Sequence, residues 1–125
     1  MNRILISADS RYPVSRPKIK KAIESVLREK KVTSSVEVSI LICGVRKSAE
    51  LAQKHLHDPK PHNVLSFPLE AKVDNSSGEL IVLGDIAVCY PIAQEEANRD
   101  NIMVDVKINE LVTHGLLHLL GEHHD

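Results

Sequence analysis

Two different spacings of apolar residues alternate along this chain of 125 residues. Val36, Val38, Ile40 and Ile42 alternate with polar side chains, and this period of two is typical of a β-strand with one buried face. The segment that begins at Ile19 instead repeats its apolar residues at every third or fourth position, as an amphipathic helix does. The two spacings together predict a fold that contains both strands and helices.

The predicted elements begin and end at residues with known structural preferences. Ser15 is a suitable N-cap, Pro17 suits the first turn of the helix that follows, and Gly121 is expected to end the last helix. Pro68 is expected to end a short strand, because proline has no N–H group to donate to a neighbouring strand. The predicted strands cover residues 4–8, 36–43, 64–67 and 79–88, and further helices cover 47–56, 91–98 and 105–120.

The order of these elements predicts an α+β fold in a single domain over residues 1–125. We expect helices packed on a mixed β-sheet of four strands. The second and third strands can pair with each other locally. Hydrophobic residues make up 42% of the chain but aromatic residues only 2%, so the core is expected to be aliphatic.

The compartment is predicted from what the sequence lacks. No apolar run is long enough to span a membrane, and the N-terminal apolar stretch is too short for a signal peptide. We therefore expect a cytoplasmic protein without a membrane partner. Cys43 and Cys89 lie in apolar strand-like segments and are expected to be buried thiols rather than a disulfide.

Charge is distributed unevenly along the chain. Residues 1–60 contain 13 Lys and Arg against 6 Asp and Glu, whereas residues 61–125 contain 3 against 11. The basic segments 16–31 and 46–60 are candidates for binding a polyanion such as RNA. Ordinary solvated helix faces are the alternative explanation for these segments.

The end of the chain is richest in side chains with metal-binding chemistry, and residues 114–125 read HGLLHLLGEHHD. His114 and His118 are four residues apart on a predicted helix, which places both imidazoles on one face, one turn apart. Both rings can therefore reach a single metal ion. The glycine that follows permits the left-handed conformation that ends a helix, so that His124 can supply a third ligand. His123 is the alternative third ligand.

Three histidines with one open position are typical of a catalytic site that holds one zinc ion, because a structural zinc site is usually closed by four protein ligands. Zinc-bound water has a pKa of about 7 and is the candidate catalytic group. Asp85 and Asp125 are candidates for orienting the ligand imidazoles through hydrogen bonds. Histidines that lie at the surface or cap the helix are the alternative, although an apolar helix offers unliganded imidazoles few polar partners.

The histidine spacing also resembles, in part, the signature of metzincin proteases. Those proteases carry a glutamate general base directly after the first histidine. This chain has Gly115 at that position, so a zinc metallopeptidase is the less favoured hypothesis.

Three motifs together resemble the YbeY family of bacterial endoribonucleases, which are rRNA maturation factors. The family pattern H-G-x-L-H-L-x-G-x-D-H is matched by HGLLHLLGEHH at residues 114–124, and the pattern T-[DN]-V-L-S-F-P by HNVLSFP at residues 62–68. A third pattern, L-G-D-I, occurs at residues 83–86. All three occur in the family's order and spacing, and the resemblance covers residues 36–125.

The resemblance implies a small α+β sandwich of helices on a four-stranded mixed sheet. It also implies that His114, His118 and His124 bind zinc, and that the protein hydrolyses single-stranded RNA in a metal-dependent reaction. Roles in ribosomal RNA 3′-end processing and in ribosome quality control follow from the same resemblance. The implied partners are ribosomal RNA and ribosomal particles.

The sequence departs from the family pattern at three places. The family has an arginine that serves RNA cleavage at the position of Leu56, so Lys54 or Lys60 becomes the candidate cation for holding phosphate. The motif threonine is replaced by His62, a candidate general acid or base, and the acidic residue before the last histidine is also replaced by histidine. The family's C-terminal helix is expected to be absent, since the chain ends one residue after the last motif histidine.

Alternative interpretations exist for Ser66, for His62 and for the function of the protein. Ser66 can face the site and bind substrate, or it can satisfy backbone groups of its strand, and His62 can equally be an ordinary loop histidine. The main hypothesis is a zinc-dependent endoribonuclease. Its rival is a zinc-stabilised module that binds ribosomes or RNA with weak or no catalytic activity, which the leucine in place of arginine favours.

Overall fold

The computed structural model describes residues 2–75 and 78–121, and over these residues the chain forms four strands and four helices. Strands and helices are interspersed as the two apolar spacings predict. The elements are β1 (Arg3–Ala8), α1 (Arg16–Glu29), β2 (Ser35–Cys43), α2 (Val45–Leu56), β3 (Val64–Asn75), β4 (Gly78–Cys89), α3 (Tyr90–Asp100) and α4 (Val104–Leu119).

The four strands form one mixed sheet in the order β1-β2-β4-β3. β1, β2 and β4 run parallel, and β3 runs antiparallel to β4. The four-stranded mixed sheet confirms the predicted α+β class. The second and third strands do not pair with each other. Instead, β3 and β4 pair as a hairpin that extends to Asn75 and Gly78, and β4 lies between β2 and β3.

The prediction that Pro68 ends its strand is wrong, since β3 continues to Asn75. Proline is tolerated here because β3 is an edge strand, and its missing N–H group leaves no neighbouring strand unpaired. The pairing with β4 shifts by one residue between Pro68 and Ala71, which is typical of a β-bulge.

The two faces of the sheet differ in how they are covered. On one face, which we call the core face, Val36, Val38, Ile40 and Ile42 are buried with apolar residues of α1, α3 and α4. On the opposite face, a smaller cluster brings Ala52 of α2 against strand residues from β3 and β4. The basic helices α1 and α2 therefore lie on opposite faces of the sheet.

The helix and cysteine predictions agree with the structure. Ser15 caps α1, with its Oγ accepting a hydrogen bond from the N–H group of Lys18 at 3.3 Å. Cys43 and Cys89 are buried free thiols that are register neighbours on β2 and β4. Burial raises the pKa of the Cys43 thiol to about 11. Among the described helices, none is long and apolar enough to cross a membrane.

Candidate functional site

Helix α4 carries the predicted histidine pair and lies deep in the structure. It packs against α1 and α3 and against β3 and β4. Gly115 makes the close contact with the sheet possible, because a Cβ atom at this position would lie 2.8 Å from Cγ2 of the buried Ile86. The same crowding leaves no space after the first histidine for the glutamate of the metzincin pattern.

His114 and His118 lie side by side on this helix. Their ring centroids are 4.3 Å apart, and the ring planes are inclined by 53°. The pair therefore shares one helix face, as the spacing of four residues predicts. Gly121 has a φ angle of +90°, and α4 ends just before it at Leu119, in agreement with its predicted role as the helix stop.

The third predicted ligand belongs to the last four residues of the chain. His124, its alternative His123 and the proposed orienting residue Asp125 lie outside the described residues. Within residues 2–75 and 78–121, no three His, Cys, Asp or Glu side chains are arranged to hold a metal ion.

The histidine pair opens onto a cleft of about 440 Å³ on the core face of the sheet, which we call the histidine cleft. Side chains from β3, α3 and α4 converge on it, together with the residue that precedes β3. The described residues that line it are Asn63, Val64, Ser66, Glu96, Lys107, Glu110, Leu111, His114, Gly115 and His118. The predicted substrate residue Ser66 is thus among the residues beside the histidines.

A carboxylate in the histidine cleft is oriented by an amide side chain. Asn63 donates from Nδ2 to both carboxylate oxygens of Glu96, at 3.3 and 3.2 Å. Its Oδ1 accepts from the N–H group of Val64 at 2.7 Å, which fixes the orientation of the amide. A residue directly before β3 therefore orients Glu96, which lies on α3.

The cleft also contains a cation. The Nζ atom of Lys107 lies 2.8 Å from Oδ2 of Asp100 and 3.6 Å from Oε2 of Glu110. The hydrogen bond with Asp100 raises the pKa of Lys107, and the nearby charges of Glu110 and Glu96 raise it further. Lys107 is thus a stable positive charge in the same cleft as the histidine pair.

Asp85 lies on the other side of the sheet from the histidine cleft. It lines a separate cavity of about 350 Å³ together with Leu5, Ser39 and Phe67. Its neighbour in sequence, Ile86, faces Gly115 on the core face, and successive residues of a strand point to opposite faces. The prediction that Asp85 orients a ligand imidazole of His114 or His118 is therefore wrong.

The loop between α2 and β3 contributes none of its predicted functional side chains to the described lining of the histidine cleft. His62 makes its own hydrogen bond, with Nε2 at 2.8 Å from Oδ2 of Asp58, and this hydrogen bond lowers the pKa of Asp58. Lys60 belongs to the same loop, and Lys54 lies on α2. Their proposed roles in substrate binding or catalysis stay predictions.

Four polar residues of the cleft are missing from the prediction: Asn63, Glu96, Lys107 and Glu110. Lys107 and Glu110 precede His114 by seven and four residues, so the helical spacing that pairs the histidines also indicates both of these. Asn63 lies inside the HNVLSFP motif. Glu96 has no comparable signal, because only the packing of α3 against α4 brings it here.

Comparison with known proteins gives a consistent family. The family model described as "Endoribonuclease YbeY" matches residues 6–125. Endoribonuclease YbeY of Persephonella marina is 31% identical over 126 residues, which covers 100% of this chain and 80% of that protein. Endoribonuclease YbeY of Thermobifida fusca is 30% identical over 122 residues, which covers 95% of this chain and 79% of that protein.

A solved structure has a similar fold. The solution structure of TM1509 from Thermotoga maritima matches with a TM-score of 0.59 at 29% sequence identity. The match covers 100% of this chain and 75% of that one.

Proposed function

The chain belongs to the YbeY family of endoribonucleases, which act in rRNA maturation, and from this premise we propose that the histidine cleft is its active site. The proposed reaction is zinc-assisted hydrolysis of single-stranded RNA during 3′-end maturation and ribosome quality control. The observation that carries the proposal is the pair of imidazoles 4.3 Å apart at a cleft that also holds an oriented carboxylate and a cation.

The donor set fits a zinc ion. Imidazole nitrogens are among the preferred zinc ligands, and two histidines one helical turn apart can share one ion. In this proposal His114 and His118 are two ligands and His124 is the third, with His123 as the alternative. When bound, zinc supplies Lewis-acid chemistry toward water and toward phosphate oxygens.

The carboxylate of Glu96 is the group best suited to accept a proton in this cleft. Hydrolysis transfers a proton from the attacking water, breaks a P–O bond and leaves a ribose oxygen that takes up a proton. A general base needs a fixed orientation, and the two hydrogen bonds from Asn63 supply it. Glu110 is less suited, because its side chain is 54% exposed and no hydrogen bond to a cleft residue holds it.

Cleavage of a single-stranded ribosomal RNA fragment tests the proposal. Wild type and His118→Ala are purified in parallel and assayed with zinc and with a chelator. We expect cleavage by wild type with zinc only and no cleavage by the variant. Equal zinc-dependent cleavage by both proteins would contradict the assignment of the histidine cleft.

A second candidate function follows if Leu56, whose side chain is 52% exposed, occupies the position of the family arginine, as the motif comparison predicts. In that case the protein is a zinc-stabilised RNA-binding or ribosome-binding module with weak or no cleavage. Binding to ribosomal particles that persists in His118→Ala, with no cleavage by wild type, would support this function over the first.

A further inference from the structure

The acidic second half of the chain contains three basic residues, and one of them stands in the histidine cleft. Lys72, Arg99 and Lys107 are the only Lys or Arg in residues 61–125. Lys107 precedes His114 by seven residues, two turns along α4, and therefore lies on the same helix face. Among the described residues that line the cleft, it is the sole Lys or Arg.

The side chain of Lys107 is held in place but keeps donors for a ligand. It is only 12% exposed, and its hydrogen bond to Asp100 is 2.8 Å long. An ammonium group has three N–H donors, and the 3.6 Å distance to Glu110 is longer than a hydrogen bond. Donors therefore remain for a negatively charged group that enters the cleft.

The ion pair with Asp100 does not by itself explain this lysine. Asp100 also accepts hydrogen bonds from Nε and Nη2 of Arg99, at 2.9 and 3.2 Å. Arg99 therefore already neutralises Asp100, and an additional cation is not required there. The carboxylates of Glu96 and Glu110 would repel an incoming phosphate. A cation at position 107 offsets this repulsion and so allows RNA to enter the cleft.

We propose that Lys107 binds a backbone phosphate of single-stranded RNA in the histidine cleft. Seven helical residues span about 10 Å, so this phosphate is a neighbour of the one that faces His114 and His118. Lys107 then contributes to binding more than to the chemical step. The inference rests on the proposed function, because it names the contact by which that same site holds its substrate.

Three variants separate phosphate binding from a structural ion pair. Lys107→Gln removes the cation, Lys107→Arg keeps it, and Asp100→Asn breaks the pair but leaves the ammonium group in place. Lys72→Gln is the matched control, since it removes an exposed cation from the same half of the chain that does not line the cleft. Each zinc-loaded protein is assayed for kcat and KM on a labelled single-stranded RNA at several salt concentrations, with folding checked by circular dichroism.

For Lys107→Gln we expect KM to rise about tenfold with kcat nearly unchanged, and the slope of log affinity against log salt to fall by about 0.7, the value of one phosphate contact on a single strand. Lys107→Arg is expected to restore most of the affinity. Asp100→Asn is expected to bind RNA at least as tightly as wild type, because its ammonium group is freed. Lys72→Gln is expected to match wild type.

Two results would overturn the proposal. One is an unchanged KM in Lys107→Gln, and the other is an equal loss of affinity in Lys107→Gln and Asp100→Asn, which a purely structural pair predicts. If Lys107→Gln fails to fold, weaker RNA binding by Asp100→Asn alone contradicts phosphate binding. Wild-type protein that neither binds nor cleaves RNA would instead overturn the proposed function, and this inference with it.

Discussion

Helix α4 and the loop between α2 and β3 both carry side chains for which the sequence predicts a function. Only the side chains predicted on α4 line the same cleft. His114 and His118 meet because a helix repeats its direction every three or four residues. His62 and Lys60 have no such periodicity to orient them. Periodic elements thus allow side-chain geometry to be predicted, whereas loop geometry depends on the surrounding fold.

The loop between α2 and β3 instead has a structural role, because its backbone fixes where β3 begins. Ser48 is buried on α2, and its Oγ accepts from the N–H group of His62 at 2.9 Å and donates to the carbonyl oxygen of His62 at 3.0 Å. This clamp fixes the chain just before Asn63, which then reaches Glu96. The loop therefore contributes to the histidine cleft through its backbone, by setting where β3 begins.

The largest expected difference between the two regions is in zinc affinity. His114→Ala removes a proposed ligand, and we expect the zinc affinity to fall at least about a hundredfold, more than loss of a supporting hydrogen bond typically costs. His62→Ala is expected to bind zinc as wild type does. Equilibrium dialysis against buffered zinc measures both, and equal weakening by the two variants would contradict the separate roles.

The next largest effect concerns how closely α4 sits on the sheet. Gly115→Val forces side-chain atoms into the space of Ile86, so we expect a loss of about 1–3 kcal/mol in the free energy of unfolding. Thr113→Val is the matched control on the same helix, where the side chain is partly exposed, with an expected change within about 0.5 kcal/mol. Urea denaturation compares them, and similar stabilities would show that the close contact is not needed.

A smaller effect concerns the pH dependence of stability at two aspartates: Asp100, which pairs with Lys107 of α4, and Asp58, which pairs with His62 of the loop. Hydrogen bonds from Arg99 and Lys107 hold the pKa of Asp100 far below its ordinary value, and the hydrogen bond with His62 lowers the pKa of Asp58. A carboxyl group whose pKa falls on folding stabilises the folded state above its unfolded pKa of about 3.9, and this stabilisation is lost as the pH falls through the folded pKa.

We therefore expect Asp100→Asn to be less stable than wild type at pH 7. This difference in stability is expected to become smaller as the pH falls below about 4. Asp58→Asn is expected to show the same trend with a smaller gap. Thermal unfolding between pH 7 and pH 2 measures both variants. A gap that does not change with pH would mean that the charge of the carboxyl group is not what stabilises the fold.

The smallest effects are expected from the cations outside the cleft. Lys54→Gln removes a charge from α2, on the opposite face of the sheet from α4, and we expect its KM for RNA to change less than about twofold. Steady-state cleavage assays measure this. A tenfold rise in KM would mean that RNA also follows α2, and the histidine cleft would then be only part of the binding surface.

Much of the fold and part of the site follow from the sequence for identifiable reasons. The N-cap Ser15 and the alternating residues of β2 act locally, so their consequences can be predicted. Strand order and the continuation past Pro68 depend on which strand becomes an edge, and this is decided by long-range pairing. Asp85 shows the same limit, because its motif position did not reveal which face of the sheet it occupies.

The central claim is that the histidine pair of α4, and not the loop before β3, forms the catalytic centre. Single-turnover cleavage of an end-labelled single-stranded ribosomal RNA fragment by wild type, His114→Ala and His62→Ala tests it most directly. We predict that His114→Ala loses cleavage and that His62→Ala stays within about threefold of the wild-type rate. Full cleavage by His114→Ala, with loss of cleavage in His62→Ala, would contradict the claim.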